Sequence, residues 1–358
     1  MAHSPRPTLA EISAEAGVSV ATVSRVLNGK PGVAPALRRR IQAILSEHRY
    51  IKDTPVNAAP VAGLIVPDLT NPVFGLFADA IEAQLAIRGY NTVLSCIRTS
   101  GDESEFAEML LRQNAEGVII IAGTNNFAVN ERSDLLDLQQ RGLRIVLVNG
   151  PAHGIAAPTL TTDFAHAVRV AFRHLRSLGH TTIGFAAGPK ESFTSAMQIE
   201  AFSQVTVEDP DSTGEIFVSS YSIEGGALAA RTLLTRSATA LICASDAMAL
   251  GAIREIGNAG LRVPHDVSVI GFDDSPTMPF VAPPLTTIRQ PVADIAQSAV
   301  NALLALAAGS SPSTDELRFE GELIIRASTA QPSCSSPTGR ERSRPSEDLS
   351  DDVGNHNH

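Results

Sequence analysis

The chain has little of what marks secreted, membrane or metal-holding proteins. Of its 358 residues only three are cysteine, Cys96, Cys243 and Cys334, with no CxxC spacing and no cysteine–histidine cluster. A disulfide framework and a zinc site are therefore not expected, and two buried thiols and one tail thiol are. No apolar run of about 18 residues occurs, and the opening MAHSPRPTLAEI contains no apolar segment of signal-peptide type. Neither a membrane span nor export is expected, which leaves the cytoplasm. Common catalytic motifs are also missing: no GxGxxG follows the first strand-like run, and neither GxxxxGK[ST] nor GxSxG occurs. An enzyme or a resident cofactor is accordingly not expected. The terminal His356 and His358 have no companion ligand, so no metal is expected there either.

What is present begins at the N-terminus. Residues 8 to 28 read TLAEISAEAGVSVATVSRVLN, two short helical patterns hinged on Ala16-Gly17-Val18. Leu9, Ile12, Ala14 and Ala16 are expected on one face of the first, and Gly17 stands where a helix ending in the left-handed conformation favours a residue without Cβ. Ser19 is placed to cap the second helix, whose Val23, Val26 and Leu27 form an inward stripe. Val20, Ala21, Ser24 and Arg25 then face outward. Small residues beside one Arg suit the major groove of DNA, where a guanidinium pairs with guanine O6 and N7. A third helix fits residues 36 to 49, with Leu37, Ile41, Ile44 and Leu45 at helical spacing. Any small helical hairpin shows a similar pattern, so packing alone is the competing reading of this spacing.

Charge is distributed to match. Residues 1 to 60 carry 8 basic and 4 acidic side chains, and the rest of the chain carries 20 and 34. A basic head on an acidic body is what phosphate neutralisation requires, although a solvated basic face explains the Arg38–Arg40 run alone equally well.

From residue 62 onward, apolar strand-like runs alternate with amphipathic helical patterns. The runs are 62–66, 92–96, 117–121 and 145–148, followed by a second series at 182–186, 240–243 and 267–271. Continuous apolar strands between helices indicate parallel sheets covered on both faces, and two series imply two doubly wound subdomains. Ligands of open α/β sheets bind beyond the carboxyl ends of the strands, so a cleft between the two is expected.

The phrase GVSVATVSRVLNG resembles, almost residue for residue, the helix-turn-helix of the LacI/GalR (lactose-repressor-like) regulators. The body is similar to the same family over roughly residues 62 to 330, through GLIVPDLTNPVF, EGVIII, HLRSLGHTTIGFAAGP, ASDAMALGAIREIGNAGLRVPHDVSVIGFDD and PPLTTIRQP. The resemblance implies a multidomain chain, an all-α helix-turn-helix head followed by an α/β periplasmic-binding-protein-like body. The expected divisions are a head at 1–50, a linker at 51–61, subdomain 1 at 62–160 and 291–330, subdomain 2 at 161–290, and a disordered tail at 331–358. Crossings between subdomains are implied near residues 160, 288 and 322.

The resemblance also implies a homodimer that sets two heads on a pseudo-palindromic operator in double-stranded DNA, and a small effector, a sugar or nucleoside, in the cleft. Arg25 is assigned to guanine and Val20 and Ala21 to base edges. Ser19, Thr22 and Asn28 are assigned to phosphates, and Ser24 and Tyr50 complete the DNA-contacting set. For the effector, Phe74, Asp163, Gln198, Tyr221, Ser245 and Asp274 match cleft positions, with Asp274 as the carboxylate that accepts from vicinal hydroxyls. For Asp163 a plain helix cap is an equal reading, and Phe74 and Tyr221 also read as core or rim aromatics. His174 and His180 match family positions as structural residues.

Four departures stand out. Gln198 replaces a family Arg, removing a fixed charge from the cleft, and Ser245 replaces a family Asn. The linker from Tyr50 to Ala62 is short, has Pro55 and Pro60, and lacks the leucines that wedge a hinge helix into the minor groove. Ala34-Pro35 replaces the usual Ser cap of the third helix. The reading is a transcription regulator of repressor type, with a ligand sensor of weakened or ligand-independent DNA binding as the alternative.

Overall fold

Thr8 opens the first helix of the computed structural model, which describes residues 8–27, 32–48, 59–96, 100–121, 133–151, 154–311 and 313–333. The chain divides into two compact units at Pro60/Val61. In the first unit, α1 (Leu9–Ala16), α2 (Val20–Leu27) and α3 (Pro35–Glu47) share one core built from Ile12, Ala16, Val23, Val26, Ile41 and Leu45. Thr8 and Glu11 form a reciprocal cap at the start of α1, and Gly17 ends it at φ 65°. That dihedral is the left-handed region, which costs a residue bearing Cβ about 1–2 kcal/mol. Ser13, rather than the expected Ala14, turns inward with Ile12 and Ala16, because spacings of three and four from Leu9 fall on 12, 13 and 16. Its hydroxyl donates to Ala10 O at 2.9 Å.

The second unit holds two six-stranded sheets. Its strands are β1 (Val61–Val66), β2 (Asn91–Cys96), β3 (Gly117–Ile121), β4 (Ile145–Val148), β5 (Thr159–Thr162), β6 (Thr182–Ala187), β7 (Thr213–Val218), β8 (Ala240–Cys243), β9 (Ser268–Asp273), β10 (Thr286–Arg289), β11 (Glu316–Phe319) and β12 (Glu322–Ile324). The helices between them are α4 (Pro72–Ile87), α5 (Ser100–Arg112), α6 (Ser133–Gln140), α7 (Phe164–Ser177), α8 (Phe193–Glu208), α9 (Ile223–Thr235), α10 (Asp246–Asn258) and α11 (Val292–Ala307). The first sheet runs β11-β5-β4-β3-β1-β2 and is parallel throughout. The second runs β12-β10-β9-β8-β6-β7, parallel except for β12, which is antiparallel to β10.

The continuous apolar runs have the cause read from them. In β1, Leu64 and Val66 pack with Phe77, Ile81, Ile295 and Leu303, whereas Ile65 packs with Leu110 and Ile120 on the opposite face. Each such side chain contributes about 1.5–3 kcal/mol by leaving water, so both faces hold the sheet.

The expected subdomain boundaries require correction. β5 stays in the first sheet through Thr162, and although α11 and β11 do return to it, residues 322–330 do not. β12 pairs with β10, Ser328 donates to Val269 O at 2.6 Å, and Ala330 O lies 2.9 Å from His180 Nε2. Backbone pairing therefore carries the last crossing back to the second sheet. His174 and His180 bind Thr329 and Thr239 respectively, and burial lowers the pKa of both imidazoles, as befits structural residues.

Candidate functional site

Helix α2 is set by its neighbours. Ser19 accepts from Thr22 N at 3.2 Å and exchanges a 2.9 Å bond with the Thr22 hydroxyl, while Val23 and Val26 anchor the inner face. Val20, Ala21 and Arg25 are exposed on the outer face, with Ser24 and Thr22 half-buried beside them. His48 Nε2 lies 2.6 Å from Glu15 Oε2 and ties the end of α3 to α1. The other two DNA-contact candidates, Asn28 and Tyr50, lie outside the described residues, as do linker residues 51–58 and the tail from 334.

The cleft of the second unit encloses a cavity of about 580 Å³, within the range of small-molecule sites. It lies at the carboxyl ends of strands from both sheets. β1 leads into Asp68, whose Oδ1 accepts from Thr70 N, the Thr70 hydroxyl and Asn71 N at 2.7–2.9 Å, and Asn71 in turn caps α4. That turn delivers Phe74 to the cavity wall. From the second sheet, β6 leads into Gly188, where an added Cβ would sit 2.2 Å from the Tyr221 ring. The missing side chain thus lets Tyr221 lie over the backbone, with its hydroxyl 3.2 Å from Thr194 Oγ1. Burial pushes the Tyr221 phenol up, keeping it protonated and able to donate.

Ser222 and Ser245 cap α9 and α10, accepting from Gly225 N at 3.0 Å and Met248 N at 3.3 Å. Both also face the cavity. Gln198, on α8, is buried at the wall, and its Oε1 has no hydrogen-bond partner among the described residues. Phe164 and Phe272 stack at 5.8 Å, and both line the site.

At the base of the cleft the two sheets are joined by a buried polar chain. Gln290 Oε1 accepts from the Thr162 hydroxyl at 2.7 Å and from Asn149 Nδ2 at 3.2 Å. Asn149 Oδ1 accepts from Thr162 N at 3.0 Å, and Gln290 Nε2 donates to Asp273 Oδ1 at 2.7 Å. Asp273 lines the cavity, as do Asp68 and Glu224. Burial, and then the neighbouring Asp246 carboxylate, push Asp273 well above the usual range.

Phe74, Gln198, Tyr221 and Ser245 are thus brought together as the sequence places them, and two candidates are not. Asp274 does not line the cavity: its carboxylate accepts from Arg289 at 2.7 Å and Arg326 at 2.6 Å. Asp273 and Asp274 both have positive φ, 113° and 55°, and the chain turns between them so that the two carboxylates part. Asp163 caps α7, accepting from His166 N at 2.8 Å, and stays outside the cavity. Sequence reasoning missed Asp273, Asn149 and Gln290. The doubled Asp of GFDD was the available hint, but which one faces the cleft is a matter of strand parity.

Among the described residues no group of His, Cys, Asp or Glu could hold a metal, and no helix is long and apolar enough to cross a membrane.

Comparison with known proteins agrees with this geometry. A family model described as bacterial regulatory proteins, lacI family, matches residues 8–53, and one described as a periplasmic binding protein-like domain matches 172–329. The HTH-type transcriptional regulator reg1 of Streptomyces lividans is 43% identical over 333 residues, spanning 90% of this chain and 96% of its own. The lac repressor dimer bound to operator and an anti-inducer is 25% identical with a TM-score of 0.67, covering 91% of this chain and 100% of that one. The regulator CelR in complex with cellobiose is 26% identical with a TM-score of 0.66, covering 90% and 100%. With a lacI-type head, a binding-protein-like body, and a relative this similar along nearly its whole length, the chain belongs to the LacI family of bacterial regulatory proteins.

Proposed function

We propose that the protein is a cytoplasmic, non-enzymatic repressor that binds a two-fold-symmetric operator as a homodimer and changes its hold on DNA when a sugar-like ligand enters the cleft. The observation that carries this reading is the cavity of about 580 Å³ between the strand ends, where hydroxyl, carboxamide and carboxylate groups surround aromatic faces. Aromatic faces take the apolar side of a sugar ring and the polar groups take its hydroxyls. Relatives of the same architecture bind operator DNA and cellobiose, which supports both halves of the proposal.

In the head, Arg25 reads a guanine, Val20 and Ala21 meet base edges, and Ser19 and Thr22 meet phosphate, with Ser24, Asn28 and Tyr50 completing the contact. Selection of bound DNA from a random pool with the purified chain should enrich a symmetric site. On that site Arg25→Ala should cost about 1–3 kcal/mol and relax one base pair, as read by fluorescence anisotropy. If Arg25→Ala binds selected and scrambled DNA as the parent does, the assignment of α2 is wrong. If no site is enriched at all, a sensor with weakened DNA binding is the better description.

A further inference from the structure

The cleft has a one-sided electrostatic character. Three carboxylates line it, Asp68, Glu224 and Asp273, and among the described lining residues there is no Lys, Arg or His. Helix N-termini ordinarily favour anions, and α4, α9 and α10 all begin at this cavity. Here, however, the side chains of Asn71, Ser222 and Ser245 already accept from an amide at each of those termini. A second observation is the lone Gln198 Oε1. It is an acceptor at the cavity wall on a residue 1% exposed, and it has no partner among the described residues. A buried acceptor left unmade is costly, and it is relieved by a ligand that arrives with a donor.

Resting on the sugar-ligand reading above, we infer that the cleft selects uncharged, hydroxyl-donating sugars and rejects their phosphorylated forms, with Gln198 as the specificity-determining residue. A neutral sugar hydroxyl donates to Gln198 Oε1 and further hydroxyls donate to the carboxylates. A 6-phosphate replaces one hydroxyl donor with a group close to dianionic at neutral pH, and it meets the Asp68 and Glu224 carboxylates with no cation among the described lining residues to offset them.

The test is calorimetric titration of the full-length protein with three pairs: cellobiose, its α-linked isomer and glucose, each against its 6-phosphate. Thermal melts confirm that every variant is folded. At least one uncharged sugar should bind, with its phosphorylated partner at least tenfold weaker. Gln198→Met, which keeps the volume and removes the oxygen, should weaken the uncharged sugar about tenfold. Gln198→Arg, which supplies a cation, should narrow the gap between the members of the pair by tenfold or more. Equal or tighter binding of the phosphorylated member by the parent overturns the inference and leaves the sugar reading intact. Unchanged affinity in Gln198→Met does the same. Failure of all six compounds to bind overturns the sugar reading and the inference together. The comparison within the parent protein stands even if Gln198→Arg does not fold.

Discussion

Asp274 accepts from Arg289 and Arg326 with a side chain only 6% exposed, while Asp273 beside it lines the cleft and accepts from Gln290. The two are separable by experiment. Asp274→Asn keeps the size and tolerates positive φ, but it leaves the Arg326 guanidinium, 14% exposed, without its charge partner. It should lower unfolding stability by about 3 kcal/mol in chemical denaturation and leave ligand affinity within twofold. Asp273→Asn preserves the acceptor for Gln290 and should instead change ligand affinity about tenfold.

A third carboxylate, Asp246, accepts from Ser275 N and the Thr287 hydroxyl, and burial is the main reason that its pKa is raised from 3.8 to about 6. The folded state therefore holds this proton more tightly than the unfolded state. Its stabilising effect is complete below about pH 3.8 and is lost as pH rises through about 6. The stability of the parent relative to Asp246→Asn should fall by about 3 kcal/mol between pH 3.5 and pH 7, as measured by denaturation at each pH. A flat difference would show that burial is not what governs this group.

At the scale of elements, α1 depends on its two ends. Thr8→Ala removes the reciprocal cap with Glu11 and should cost about 1 kcal/mol in the melting of the N-terminal unit. Helices and long strands were legible because their burial is periodic: the third helix was expected at 36–49 and spans Pro35–Glu47. The short strands at the crossings were not. β5 reads Thr-Leu-Thr-Thr and β10 Thr-Thr-Ile-Arg, with no apolar run to mark either. Their threonines are nevertheless buried, because hydroxyls such as Thr161 to Glu316 and Thr287 to Asp246 find partners in distant elements. Local composition cannot announce a polar residue that is satisfied by a chain segment 41 or 155 positions away.

For the body as a whole, the Asn149–Gln290–Thr162 chain is the polar joint between its two sheets, and it ends on the cleft carboxylate Asp273. A ligand that bonds Asp273 competes for the same hydrogen-bonding capacity that holds the joint. Gln290→Leu should cost about 1–3 kcal/mol, since it leaves buried groups on both sheets unmade. It should also shrink the ratio of operator affinities measured with and without ligand. An unchanged ratio would mean that the joint is structural only.

By itself the sequence determined the helix-turn-helix, the outward placement of Val20, Ala21 and Arg25, the pair of parallel sheets, and the family, because these rest on local periodicity and on contiguous phrases. It also placed Phe74, Gln198, Tyr221 and Ser245 at a common site. Only the tertiary structure decided that Asp273 and not Asp274 lines the cavity, that Asp163 serves as a cap, and that residues 322–330 return to the second sheet. The first and the last depend on partners brought near by folding, for Arg326 lies 52 residues from Asp274 and β12 pairs with β10, whereas the Asp163 cap needs only the local amide of His166. Which of two adjacent side chains turns toward a cavity follows from strand parity and the backbone turn at positive φ, and both emerge only when the sheet is assembled.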